Sequence, residues 1–152
     1  MTIEERRQSL EVMRERHHRA CLICGDCNPE GLGITFDVCR GGGVEAEVVC
    51  GEHREGYADH LHGGMIASLL DGAMTNCLFS HGIAAVTGEL TVRVLLPVEA
   101  VTLVRIYAWL DESSPPLYRL KSELRQHGRL KARGRAKFVQ KWSDSARVAT
   151  GQ

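Results

Sequence analysis

The stretch from His60 to Gly82, HLHGGMIASLLDGAMTNCLFSHG, constrains the fold more than any other, because strand-like segments flank it on both sides. Ile66, Leu69, Leu70, Ala73, Met74, Cys77 and Leu78 recur at helical spacing, and Gly82 stands where a left-handed C-terminal cap would end a helix. A helix of about 19 residues is roughly 28 Å long, the width of a small domain. Such a helix belongs in a core and needs a sheet to cover it.

Two features of this helix work against its own stability, and such conflicts mark places where function competes with folding. At its start, His62, Gly63 and Gly64 put two flexible residues where Ser, Thr, Asn or Asp would cap better. The free N–H groups of the first turn are thereby left open to an approaching group. Farther along, Asp71 sits mid-helix beside Gly72, two poor helix formers together, at the border of the apolar stripe. A carboxylate there is costly unless paired or used.

The 152 residues suit one domain with a core large enough to need no staples. Lysine plus arginine equals aspartate plus glutamate at 19 each, so no overall field favours nucleic acid. No apolar run is long enough to span a bilayer, and the opening MTIEERRQSLEVMRERHH lacks the apolar stretch of a secretory signal, so a cytoplasmic location is expected. In that compartment the six cysteines are expected as thiols. Cys77 falls on the apolar stripe and reads as core. Cys21-x-x-Cys24-x-x-Cys27 follows His17 and His18, but no second ligand pair follows at ribbon spacing. The reading favours a tight loop of small buried thiols over a metal site.

Along the chain, residues 3–18 carry Ile3, Leu10, Val12 and Met13 among charges, the pattern of a helix with a narrow buried stripe or of an arm. CLICGDCNPEGLG reads as an ordered loop, and ITFDVCR and VEAEVVC as an antiparallel pair joined through Gly41, Gly42 and Gly43. After the helix, AAVTGELTVRVLLPV, AVTLVRIYAWLDE, PLYRLKSELRQ and RLKARGRAKFVQ read as four strands. The expected class is α+β, a curved antiparallel sheet wrapped around one long helix. Residues 1–19 form a helix or arm, 20–142 the main domain, and 143–152 a polar tail. In the last strand Arg129, Lys131, Arg133, Arg135 and Lys137 share one face, which reads first as a charged strand that discourages edge pairing and second as a rim for phosphates.

The run GYADHLHGGMIASLLDGAM, followed by AVTGELTVRVLLPV, resembles the hotdog-fold thioesterases of the PaaI-like branch, whose pattern is a His-Gly-Gly helix start and an aspartate nine residues after the histidine. CLICGDCNPEGLGITF is similar to the lead-in of many such sequences, so the resemblance covers nearly all of residues 20–141. It implies two subunits joined into a continuous sheet, as a dimer or a dimer of dimers. Active sites would lie at the interface, with the helix start of one chain facing the acidic residue of the other.

By this resemblance the substrate is an acyl-CoA, hydrolysed without metal or bound cofactor. The Gly63 N–H would hold the oxyanion, aided by the positive end of the helix. Asp71 would act as general base or as nucleophile, and Thr87 matches a Ser or Thr position that orients water. His62 would position the carbonyl or brace the turn. Gly64, with its neighbouring amide, and Arg133 and Arg135 are candidate substrate contacts, while His53 and His60 are weaker ones. Relatives carry Gly-Tyr-Pro-Gly before the histidine and an acidic residue after the aspartate, where this chain has Gly56-Tyr57-Ala58-Asp59 and Gly72. His53 or Asn76 is expected to supply the missing support. A non-catalytic acyl-CoA or acyl-carrier binding module on the same fold stays open as the alternative. Hydro-lyase chemistry is disfavoured, because the helix start lacks an Asp and His pair spaced in the hydratase manner.

Overall fold

The computed structural model describes residues 1–140, so the expected tail at 143–152 lies outside the described residues. Helix α1 (Ile3–His17) is followed by strands β1 (Asp37–Val38) and β2 (Val44–Val48), helix α2 (Gly63–Ser80), and strands β3 (Ala85–Val94), β4 (Val104–Ser114), β5 (Leu117–Gln126) and β6 (Arg129–Gln140). The strands form one antiparallel sheet in the order β1-β2-β4-β5-β6-β3. This is the hotdog fold, with α2 lying against the sheet.

Period-two burial on β5 and β6 builds the floor beneath the helix. Tyr118, Leu120, Ser122 and Leu124 alternate with exposed or half-exposed neighbours, as do Ala132, Gly134, Ala136 and Phe138. From Gly72 to Ser80 every residue of α2 is buried, because α1 covers the side that the sheet leaves open. The helix ends in a paired cap. Gly82, at φ +73°, donates its N–H to Phe79 O at 3.0 Å, and Ile83 N–H reaches Leu78 O at 3.0 Å.

Helix α1 is held by polar staples more than by an apolar stripe. Ile3 and Val12 are exposed, and only Arg6 and Leu10 are buried on this helix. The Arg6 guanidinium donates to Cys39 O, Gly42 O, Gly43 O and Ser80 Oγ, tying α1 to the β1–β2 turn and to the end of α2. Strand β1 is shorter than its apolar pattern suggests, because Leu32 and Ile34 spend their N–H groups on Leu22 O and Ile23 O in the cysteine loop, at 2.8 Å each.

Strand β6 lies inside the sheet, between β5 and β3. Its basic residues therefore do not protect an edge, which corrects the first reading of that strand. The long exposed edge belongs to β3, where Val86 and Val94 stand about half exposed.

Candidate active site

Asp71 lies near the middle of α2 on the side turned toward β3, and its Oδ1 accepts a 2.6 Å hydrogen bond from Thr87 Oγ1. The half-buried carboxylate has no other side-chain or backbone partner among the described residues, leaving Oδ2 open beside the β3 edge. A bulge aims the threonine. Thr87 pairs with Phe138 and Glu89 with Lys137, so Gly88 is an extra residue that reverses the alternation. Counted back from inward-facing Leu90, an unbulged strand would turn Thr87 away from the helix. A glycine inside a strand pattern is the sequence signal for such a bulge.

The start of α2 is built around His62. Its Nδ1 accepts from Gly64 N–H at 2.8 Å, while Met65 N–H and Ile66 N–H both reach His62 O, at 2.9 and 3.0 Å. A Cβ on Gly64 would come within 3.0 Å of the same Nδ1, so glycine lets the ring fold over the turn. The Gly64 amide is therefore occupied, which corrects its expected place among the substrate contacts. Gly63, first in the helix, has no acceptor behind it in the same helix, and a Cβ there would meet nothing within 4 Å. It faces open space at the positive end of the helix.

The other expected residues are dispersed. Asn76 is fully buried and donates to Gly72 O at 2.8 Å, with its Oδ1 left without a partner among the described residues. Five positions beyond Asp71, it points to a different side of the helix from that carboxylate and cannot support it. His53 is exposed in the short turn Glu52–Arg54, and His60 in a bridge to Glu99; neither bonds Asp71. Arg133 and Arg135 lie on the outer face of the sheet, where they line a shallow cavity of about 510 Å³ with Thr91, Arg93, Trp109 and Lys121. Thr87 and Asp71 are on the inner face, so within one chain the two arginines do not meet them.

In the cysteine loop only Cys24 is buried; Cys21 is half-buried and Cys27 exposed. The expectation of small buried thiols thus holds for one of the three. A hydrogen bond from Cys24 holds the Cys21 thiol well below the usual range, and the Cys24 thiol is pushed up by the same contact and by burial. Cys77 lies fully in the core, where burial pushes its thiol up to about 12.

Comparison with known proteins agrees with the fold. The thioesterase superfamily model matches residues 58–114, the segment that holds His62, Gly63, Asp71 and Thr87. Among solved structures, the PaaI protein of Escherichia coli from the phenylacetic acid degradation operon is 20% identical, with a TM-score of 0.77 over 94% of this chain and 98% of that one. A hypothetical thioesterase protein with coenzyme A from Streptococcus pneumoniae is 16% identical, with a TM-score of 0.66 over 70% and 87%. The thioesterase superfamily protein RHA08564 is 20% identical, with a TM-score of 0.69; the match covers 73% of this chain but about half of that one, 55%. No curated protein matches.

Proposed function

We propose that this hotdog-fold chain hydrolyses acyl-CoA thioesters, with Asp71 as general base and the Gly63 N–H as oxyanion donor. One observation carries the reading: the Asp71 carboxylate, fixed by Thr87 at 2.6 Å, keeps its second oxygen open at an exposed sheet edge. The superfamily match over residues 58–114 and the coenzyme A in the similar Streptococcus pneumoniae structure support the choice of thioester and carrier.

The division of labour follows from the donors and acceptors. Thr87 spends its proton on Asp71 Oδ1, so its oxygen can accept a hydrogen bond from a water lying near Oδ2. Oδ2 takes a proton from that water as its oxygen attacks the thioester carbon. Negative charge moves to the carbonyl oxygen, where the Gly63 amide and the helix start stabilise it. Collapse breaks the C–S bond, and the proton held on Asp71 Oδ2 passes to the departing coenzyme thiolate, which returns the carboxylate to its starting state.

Gly63 and Asp71 are eight residues apart on one helix, about 12 Å along its axis. One thioester carbonyl cannot meet both groups of the same chain. The site therefore needs a second copy of the chain, placed across the β3 edge so that its Gly63 faces this chain's Asp71. The substrate cleft belongs to the dimer, as the open surroundings of Asp71 in a single chain suggest.

Thiol release against short, long and aromatic acyl-CoA substrates tests the proposal. Asp71→Asn is expected to lower kcat by about 10²- to 10⁴-fold, the range for a lost general base, with an unchanged circular dichroism spectrum. Unchanged turnover in this variant overturns the assignment. Saturable acyl-CoA binding by the wild-type chain without thiol release across the panel would instead identify the binding module.

A further inference from the structure

Away from Asp71, one group of metal-ligating side chains among the described residues gathers where α1 runs into the loop before β1. His18 caps the C-terminus of α1, and its Nδ1 is 3.6 Å from Cys24 Sγ. Cys21 Sγ completes the group: the three ligand atoms all lie within 4.8 Å of one another. The loop backbone fixes this arrangement. Ile23 N–H donates to Cys21 Sγ at 3.3 Å, and Gly25 N–H to Cys21 O at 3.0 Å.

Tetrahedral zinc, with Zn–S near 2.3 Å and Zn–N near 2.0 Å, sets a sulfur and a nitrogen about 3.5 Å apart and two sulfurs about 3.8 Å apart. The His18 to Cys24 distance already has that value. We propose that His18 Nδ1, Cys21 Sγ and Cys24 Sγ bind one zinc ion, with a fourth position that faces solvent. Two thiolates and an imidazole are a donor set suited to zinc. Cys24 anchors the site from inside, while half-buried Cys21 and His18 leave it open on the outside. Cys27 is not a ligand. It is exposed, and its sulfur is already engaged by Arg19 Nε at 3.3 Å and Asp26 Oδ1 at 3.3 Å. The sequence spacing lacked a second pair; the fold supplies the third ligand from the end of α1.

The position of the loop gives the ion a purpose. Ile23, between the two ligand cysteines, packs on Gly72 so closely that a Cβ there would lie 2.6 Å from Ile23 Cγ2. Zinc would lock the loop against α2 one residue beyond Asp71, joining the end of α1 to the helix that carries the carboxylate. Binding releases any proton held by the two thiols to solvent, so affinity rises with pH.

The test uses the full chain, purified under reducing conditions, loaded with zinc sulfate and freed of excess ion by gel filtration. Elemental analysis is expected to give about one zinc per chain. Cobalt(II) exchanged into the site is expected to show sulfur-to-metal charge-transfer absorption in the near ultraviolet and the intense visible bands of a tetrahedral site. Cys21→Ser and His18→Ala lose the metal, and Cys27→Ser retains it. A folded wild-type chain with free thiols and no zinc overturns the proposal, as does a Cys21–Cys24 disulfide in the freshly isolated protein or loss of metal from Cys27→Ser. If Cys21→Ser fails to fold, the wild-type stoichiometry and the His18→Ala variant decide. None of these readouts depends on thioester hydrolysis.

Discussion

The hydroxyl of Thr87 is the one group among the described residues that bonds the Asp71 carboxylate, so much of the proposed base's orientation hangs on a single 2.6 Å contact. A hydrogen bond to a charged group contributes about 1.5–3 kcal/mol. Thr87→Val keeps the shape and removes the bond, and is expected to lower kcat by roughly 10- to 100-fold with little change in KM. Thr87→Ser retains the oxygen and should recover most of the rate. Steady-state thiol release on the two variants separates a positioning role from simple packing, since packing would make valine the better replacement. His62 shows how one side chain can relieve a poor helix start: its ring nitrogen does the work of a hydroxyl cap for Gly64, while the Gly63 amide meets no acceptor among the described residues.

At the level of elements, the contact between the cysteine loop and α2 explains a glycine in the middle of a buried helix. Alanine is a better helix former than glycine by about 1 kcal/mol, so Gly72→Ala would stabilise an isolated helix. Here the new methyl group meets stiff, β-branched Ile23 at 2.6 and 3.2 Å, and overpacking of that kind costs about 1–3 kcal/mol. Gly72→Ala is therefore expected to lower the denaturation midpoint, while the same change in an Ile23→Ala background should raise it. A double-mutant cycle measured by urea unfolding checks the reversal of sign. Additive effects would mean that the loop does not press on the helix.

For the whole molecule, the decisive claim is that each site draws on two chains. Gly63→Pro tests it cleanly. Proline is well tolerated at the first helical position, the backbone of His62 at φ −59° and ψ 137° suits a following proline, and the side chain enters open space while the N–H disappears. Gly63→Pro and Asp71→Asn are each expected to be inactive as homodimers. In a mixed dimer one site has both defects and the other has neither. Random mixing after co-refolding should restore about a quarter of wild-type activity, since half of the dimers are mixed and each has one intact site. A mixture as inactive as its parents would mean that Gly63 and Asp71 serve the same site from one chain, or that no dimer forms.

Much of this was legible in the residues themselves. The spacing from Ile66 to Leu78, the left-handed Gly82 and the glycine turn at 41–43 are local signals, set by backbone sterics and hydrophobic periodicity. The candidate carboxylate and the glycine amide could be named for the same reason, since each conflicts with the helix that contains it. Asn76 misled because a polar residue near Asp71 in sequence lies on another side of the helix, and the basic face of β6 misled because strand order is invisible in a single chain of letters. The inward turn of Thr87 through the Gly88 bulge, the meeting of His18 with Cys21 and Cys24, and the roughly 12 Å that part Gly63 from Asp71 on a straight helix are matters of position in space. Sequence fixes periodicity and local conformation; which distant side chains come within 4 Å of each other was decided only when the sheet closed over α2.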